Sequence, residues 1–182
     1  MKPKKQNADF LHVGEKLLAW YKIHGRDLPF RKTRNPYKIW ICEIVFQQTR
    51  IEQGLNHYNR FIERFPDVET LANTETDEVL LYWKGLGYYS RALNVHKAAK
   101  QIVKDFNAKF PEKYEDILSL KGVGKYTAAA VSSICFGMKI PAVDGNFYRV
   151  LSRVFADDFD ISNTSAFNYF STIAFIIKRP VT

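Results

Sequence analysis

Apolar residues recur at three- and four-residue intervals along most of this chain, and no stretch shows the strict alternation of a half-buried strand. Phe10, Val13, Leu17, Leu18 and Tyr21 mark one face of a helix predicted over residues 9–24. Asn35-Pro36 marks the next start, because proline suits the first helical position. That helix carries Trp40, Glu43, Ile44 and Gln47. Further helices are predicted over 53–65 and 68–73. Thr74 is read as the cap of a helix through Trp83, with Asp77 completing a capping box. Gly85-Leu86-Gly87 interrupts the chain before a long helix over 88–104. Segments 114–120, 146–155 and 166–178 complete the series, and the fold class is all-α.

Residues 118–128, LSLKGVGKYTA, read as a helix end, a tight turn and a second helix start. Gly122 and Gly124 let the backbone turn sharply and approach another molecule. The helix from Tyr126 points its free N–H groups and positive dipole end at the turn, which suits a phosphate. Lys121 and Lys125 add charge there. An ordinary corner between two helices is the alternative. Asp144, in VDGNFYRV (143–150), stands at another helix start, where N–H groups keep a carboxylate ionised. A simple N-cap is compatible with that role.

The 182 residues carry a net charge of +8, which favours a polyanionic partner over a merely solvated basic surface. Cys42 and Cys135 are the only cysteines, so neither a disulfide framework nor a four-cysteine metal set is expected. With no leader or long apolar run, an intracellular soluble protein is expected. His12, His24, His57 and His96 are scattered and receive no role. Met1 to Ala8 reads as a loose lysine-rich tail.

LKGVGKYTA and VDGNFYRV together resemble the helix-hairpin-helix and aspartate loop of base-excision DNA glycosylases. WICEIVFQQTR (40–50) and WKGLGYYSRA (83–92) narrow the resemblance to the adenine-specific mismatch glycosylases of the MutY type, which remove adenine mispaired with 8-oxoguanine or guanine. The resemblance implies a six-helix barrel over 28–137, with its helix-hairpin-helix at 118–130. Residues 1–27 and 138–182 would form an incomplete outer lobe. It also implies a monofunctional N-glycosylase acting on double-stranded DNA in the cytoplasm or nucleoid. A DNA-binding remnant without turnover, or a glycosylase preferring another mispaired base such as thymine, stands as the alternative.

By the same resemblance Glu43 is the general acid and Asp144 the anion facing the sugar cation, with Asn146 positioning water and Asp144. Periodicity alone favours an exposed, ordinary Glu43. Tyr126 occupies the place where strand-nicking relatives carry a lysine nucleophile, so no imine forms there. Arg26, Leu28, Arg31 and Ile51 would line the adenine pocket. Gln48, Thr49, Leu86 and Tyr88 would engage the duplex, and Gly122, Val123, Gly124 and Lys125 its backbone. One of Tyr88 and Tyr89 is expected to pack in the core. Lys121, Phe30 and Cys42 depart from the family's usual proline, tryptophan and serine. The family continues into a returning helix, a four-cysteine 4Fe–4S loop and a domain that reads 8-oxoguanine. No cofactor is therefore expected in this chain, which is read as a truncation or fragment. A monomer is expected, with self-association open to helix faces left uncovered.

Overall fold

The computed structural model describes residues 7–177, with side chains from Gly14 to Ala174. All regular structure in that span is helical: α1 (Asn7–His24), α2 (Pro36–Val45), α3 (Ile51–Arg64), α4 (Val68–Asn73), α5 (Thr76–Trp83), α6 (Tyr89–Phe106), α7 (Tyr114–Ser119), α8 (Lys125–Phe136), α9 (Gly145–Phe155) and α10 (Ala166–Ile177), plus a 3-10 turn at Pro29–Arg31. Most of the expected lysine-rich tail lies outside the described residues, as do the side chains of Phe10, His12, Val13, Ile176 and Ile177.

The chain divides into two compact units, residues 29–138 and residues 1–28 with 139–182. The first is built around α2. Asn35 caps this helix by accepting from the Lys38 N–H at 3.1 Å, and Pro36 opens it. Seven of its ten residues are buried: Tyr37, Ile39, Trp40, Ile41, Cys42, Ile44 and Val45. A helix apolar on nearly every side must be enclosed by others. Here α3, α6 and α8 pack on it. Phe61 lies between Phe65 (centroids 4.8 Å apart) and Trp83 (5.6 Å, edge-on), so α3 and α5 share one aromatic layer. The Tyr37 hydroxyl donates to the Phe65 carbonyl at 2.7 Å, tying α2 to the end of α3.

Thr74 does not start α5. Its hydroxyl donates backward to the Thr70 carbonyl at 2.7 Å, and Glu75 takes the N-cap position instead. The threonine is thus drawn into the end of α4, a local competition that residue spacing does not resolve. Asp67 caps α4 as an N-cap aspartate should, accepting from the Thr70 N–H at 2.8 Å.

In the second unit α10 packs on both α1 and α9. Leu151, Ala166, Phe170 and Ile173 form its buried cluster. Tyr148 stacks on Phe170 at 4.9 Å, and Tyr169 on Phe159 at 4.0 Å. Leu17, Leu18, Trp20, Tyr21 and Ile23 of α1 are all exposed.

Phe61→Ala removes the ring shared by α3 and α5. It is expected to cost about 3–5 kcal/mol, read as a lower urea midpoint, whereas Leu81→Ala on the surface stays within about 0.5 kcal/mol of the parent.

Candidate active site

The turn between α7 and α8 is held from behind by α6. Gln101 accepts from the Lys121 N–H at 3.2 Å and donates to the Ser119 carbonyl at 3.4 Å. Gly122 has φ +77°, and a Cβ there would lie 2.6 Å from the Asn94 Cβ, so both its conformation and its space demand glycine. Gly124 is different: its φ is −95°, and a Cβ there would have nothing within 4 Å. Val123 is buried and anchors the turn, while Lys121, Gly122, Gly124, Lys125 and Tyr126 face solvent. Gly124 caps α8 without any side-chain hydrogen bond. The positive end of the α8 dipole therefore has no capping side chain from Gly124.

Glu43 lies on α2 and is half-buried, not fully exposed. Two thiols register its charge. Burial, then Glu43, pushes the Cys135 thiol on α8 up to about 11. The same two causes raise Cys42 further. The carboxyl thus lies close to a thiol of its own helix and to one of α8.

The segments bounding α3 and α6 present the duplex-binding candidates. Gln48 has φ +57° and is exposed, and Thr49 beside it is half-buried, its hydroxyl donating to the Gln47 carbonyl at 3.3 Å. Gln47 itself donates to the Thr127 hydroxyl at 3.5 Å, linking this loop to α8. Ile51 opens α3 and is half-buried. Leu86 is buried. Tyr88 has φ +45°. Tyr88 and Tyr89 are 65% and 47% exposed, so neither packs in the core. The left-handed turn at Tyr88 directs its ring outward just before α6 starts, which correct spacing alone does not disclose.

Arg91 was not singled out by the sequence, although it lies inside the WKGLGYYSRA stretch. Its guanidinium donates to the carbonyls of Ile44 (2.9 Å), Gln47 (2.6 Å) and Leu86 (3.2 Å). Its central carbon also lies 5.4 Å from the Tyr88 ring centroid. Burial lowers its pKa, but arginine keeps its charge.

In the other unit Asp144 is the N-cap of α9. One carboxylate oxygen accepts from the Phe147 N–H at 2.8 Å and the other from the Asn146 amide at 3.2 Å. Asn146 in turn accepts from Arg149. The aspartate is half-buried and oriented from two sides. Leu28 is buried, whereas Arg26 and Arg31 are exposed.

An iron–sulfur cluster takes four thiolates. The two thiols here are held protonated by burial, and no group of three or more metal-type ligands occurs among the described residues. These residues do not fit such a cluster.

The α7–α8 turn and the aspartate-capped α9 both fall within one segment that matches a family model. Residues 41–170 match the model of the HhH-GPD superfamily base excision DNA repair proteins, and the chain belongs to that superfamily. Over 141 residues it is 44% identical to the adenine DNA glycosylase of Buchnera aphidicola subsp. Baizongia pistaciae, covering 77% of this chain and 40% of that protein. It is 38% identical over 157 residues to the human adenine DNA glycosylase, covering 81% of this chain and 29% of that protein. Its fold is similar to that of a thermostable thymine-DNA glycosylase, with a TM-score of 0.84 and 28% identity over 96% of this chain and 81% of that one. The chain thus spans about two-fifths or less of the length of these curated relatives.

Gly122→Ala is expected to lower the melting temperature, because the added methyl meets Asn94 in a disfavoured backbone region; Gly124→Ala is expected to leave it unchanged. The thiols give a second test. With Cys135 raised to about 11 and Cys42 above that, both remain protonated at pH 8. Native protein should react slowly with a disulfide reagent at that pH, and urea-unfolded protein should react fully.

Proposed function

We propose that this chain is the catalytic portion of a monofunctional DNA glycosylase that removes adenine mispaired with 8-oxoguanine or guanine. The observation that carries the reading is the oriented aspartate at the N-terminus of α9, in a chain 44% identical to an adenine DNA glycosylase. Two N–H donors fix that carboxylate in place, and a carboxylate held at a set position suits a neighbouring sugar cation.

In the proposed reaction the duplex is held through its backbone by the Gly122–Lys125 turn and the first amides of α8. The target nucleotide leaves the stack, with Gln48 and Tyr88 entering the space it vacates, Thr49 beside the opposing base and Leu86 also against the duplex. Arg26, Leu28, Arg31 and Ile51 receive the base. Glu43, protonated, donates its proton to adenine N7. The C1′–N9 bond breaks, its electron pair goes to the base, and the sugar becomes an oxocarbenium ion. Asp144 faces that cation. Water held by Asn146 adds to C1′, and the Glu43 carboxylate takes the water's proton. Tyr126 has no amine, so the sugar stays as an abasic site and the strand is not cut by an imine route. The 182 residues act without a metal cluster of their own. We place the protein with DNA in the cytoplasm or nucleoid, acting as a monomer; no helix among the described residues is long and apolar enough to cross a membrane.

A thymine preference is the second reading, favoured by the likeness to a thymine-DNA glycosylase. Single-turnover assays on A:8-oxoguanine, A:G and T:G duplexes decide between the two. Glu43→Gln and Asp144→Asn should each slow adenine release by at least about 100-fold while duplex affinity changes by less than about threefold. Base release from T:G alone, or a near-normal rate for Glu43→Gln, would overturn the assignment. Binding without any release would identify a DNA-binding remnant.

A further inference from the structure

Two backbone segments separated by some forty positions end at one side chain. The first is the end of α2 with the residues after it. The second is the loop from Lys84 to Tyr88 that leads into α6. We propose that Arg91 is a positioning residue for nucleotide extrusion, cross-linking these two segments so that Gln48 and Tyr88 are presented together. The proposal rests on the reading that Gln48 and Tyr88 enter the duplex.

The geometry is specific to arginine. One terminal nitrogen donates to the Ile44 and Gln47 carbonyls at 2.9 and 2.6 Å, and the other to the Leu86 carbonyl at 3.2 Å. The Ile44 and Gln47 carbonyls lie at the C-terminal end of a helix, where the dipole is negative and a cation is favoured. A planar fork serves both segments at once, whereas a lysine ammonium offers one point of attachment. The guanidinium also lies over two rings, Trp83 at 5.6 Å and Tyr88 at 5.4 Å from their centroids.

The rest of the second loop is fixed in the same manner. His57 reaches the Lys84 carbonyl at 3.1 Å, Gln53 donates to Gly85 at 3.2 Å, and Trp83 donates to Gly87 at 3.2 Å. Four successive carbonyls are thus each held by a side chain, and Arg91 alone also reaches the other loop. Gln48 and Tyr88 both adopt the left-handed conformation that residues bearing a Cβ avoid. Such backbone persists only where the surroundings impose it, and the Arg91 bonds lie one residue before Gln48 and two before Tyr88.

Hydrogen exchange on the free protein reads the clamp itself. In Arg91→Ala and in Arg91→Lys, amides of 46–50 and 84–88 should both exchange at least about tenfold faster, while those of α4 stay as in the parent. Arg91→Lys keeps the stem and a charge, and so carries the test if the alanine variant does not fold. Acceleration of only one segment, or of neither, overturns the proposal.

A duplex bearing 2-aminopurine opposite guanine then reads extrusion as a fluorescence rise, without requiring turnover. Arg91→Lys and Gln48→Ala should each reduce that rise. The double variant should be no worse than the poorer single one, within about twofold, because the arginine acts through the loop. Multiplying losses would mean that Arg91 acts elsewhere, and would overturn the proposal. If Gln48→Ala and Tyr88→Ala each leave the rise intact, the duplex-entry reading fails, and with it the functional half of this proposal; the exchange arm still decides whether the clamp exists.

Discussion

Burial of α2 is the constraint on which the central unit depends. A ten-residue helix with seven buried positions gains apolar contact on nearly every side, and its C-terminal carbonyls are cut off from water in the process. Unpaired buried carbonyls are costly, so a donor must come from another element. Arg91 of α6 supplies it, and the same guanidinium reaches the Leu86 carbonyl. Satisfying a packing requirement therefore also joins the two loops that carry Gln48 and Tyr88. Glu43 lies on this helix too, so its half-buried setting follows from the same enclosure.

Two helix N-termini are capped in different ways. At α8 the cap is Gly124, which brings no side chain to the helix end. At α9 the cap is Asp144, whose carboxylate occupies the equivalent place and is oriented by Phe147 and Asn146. A glycine cap leaves the dipole end without a side-chain charge. A filled end suits a fixed negative charge, the complement of a sugar cation. The dipole is common to both; the capping residue decides what each end does.

The sequence determined the helical class, most element positions and the turn at Gly122, because three-to-four periodicity, proline at helix starts and paired glycines are local signals. Its motifs were sufficient to point to the superfamily. It also disclosed Asp144 at a helix start, since an N-cap is recognisable within four residues. The tertiary structure decided what local signals leave degenerate. Thr74 joins the end of α4 instead of starting α5, because Thr70 offers its hydroxyl a better-placed acceptor. Tyr88 and Tyr89 both face outward, because a left-handed residue precedes α6. Gly124 proves replaceable in backbone terms where Gly122 does not, because only Gly122 abuts Asn94. Arg91 acquires its place from carbonyls 44 to 47 positions away. Periodicity reports which side of a helix is apolar; it carries no record of which distant backbone group a polar side chain will meet, and that is settled only when the helices pack.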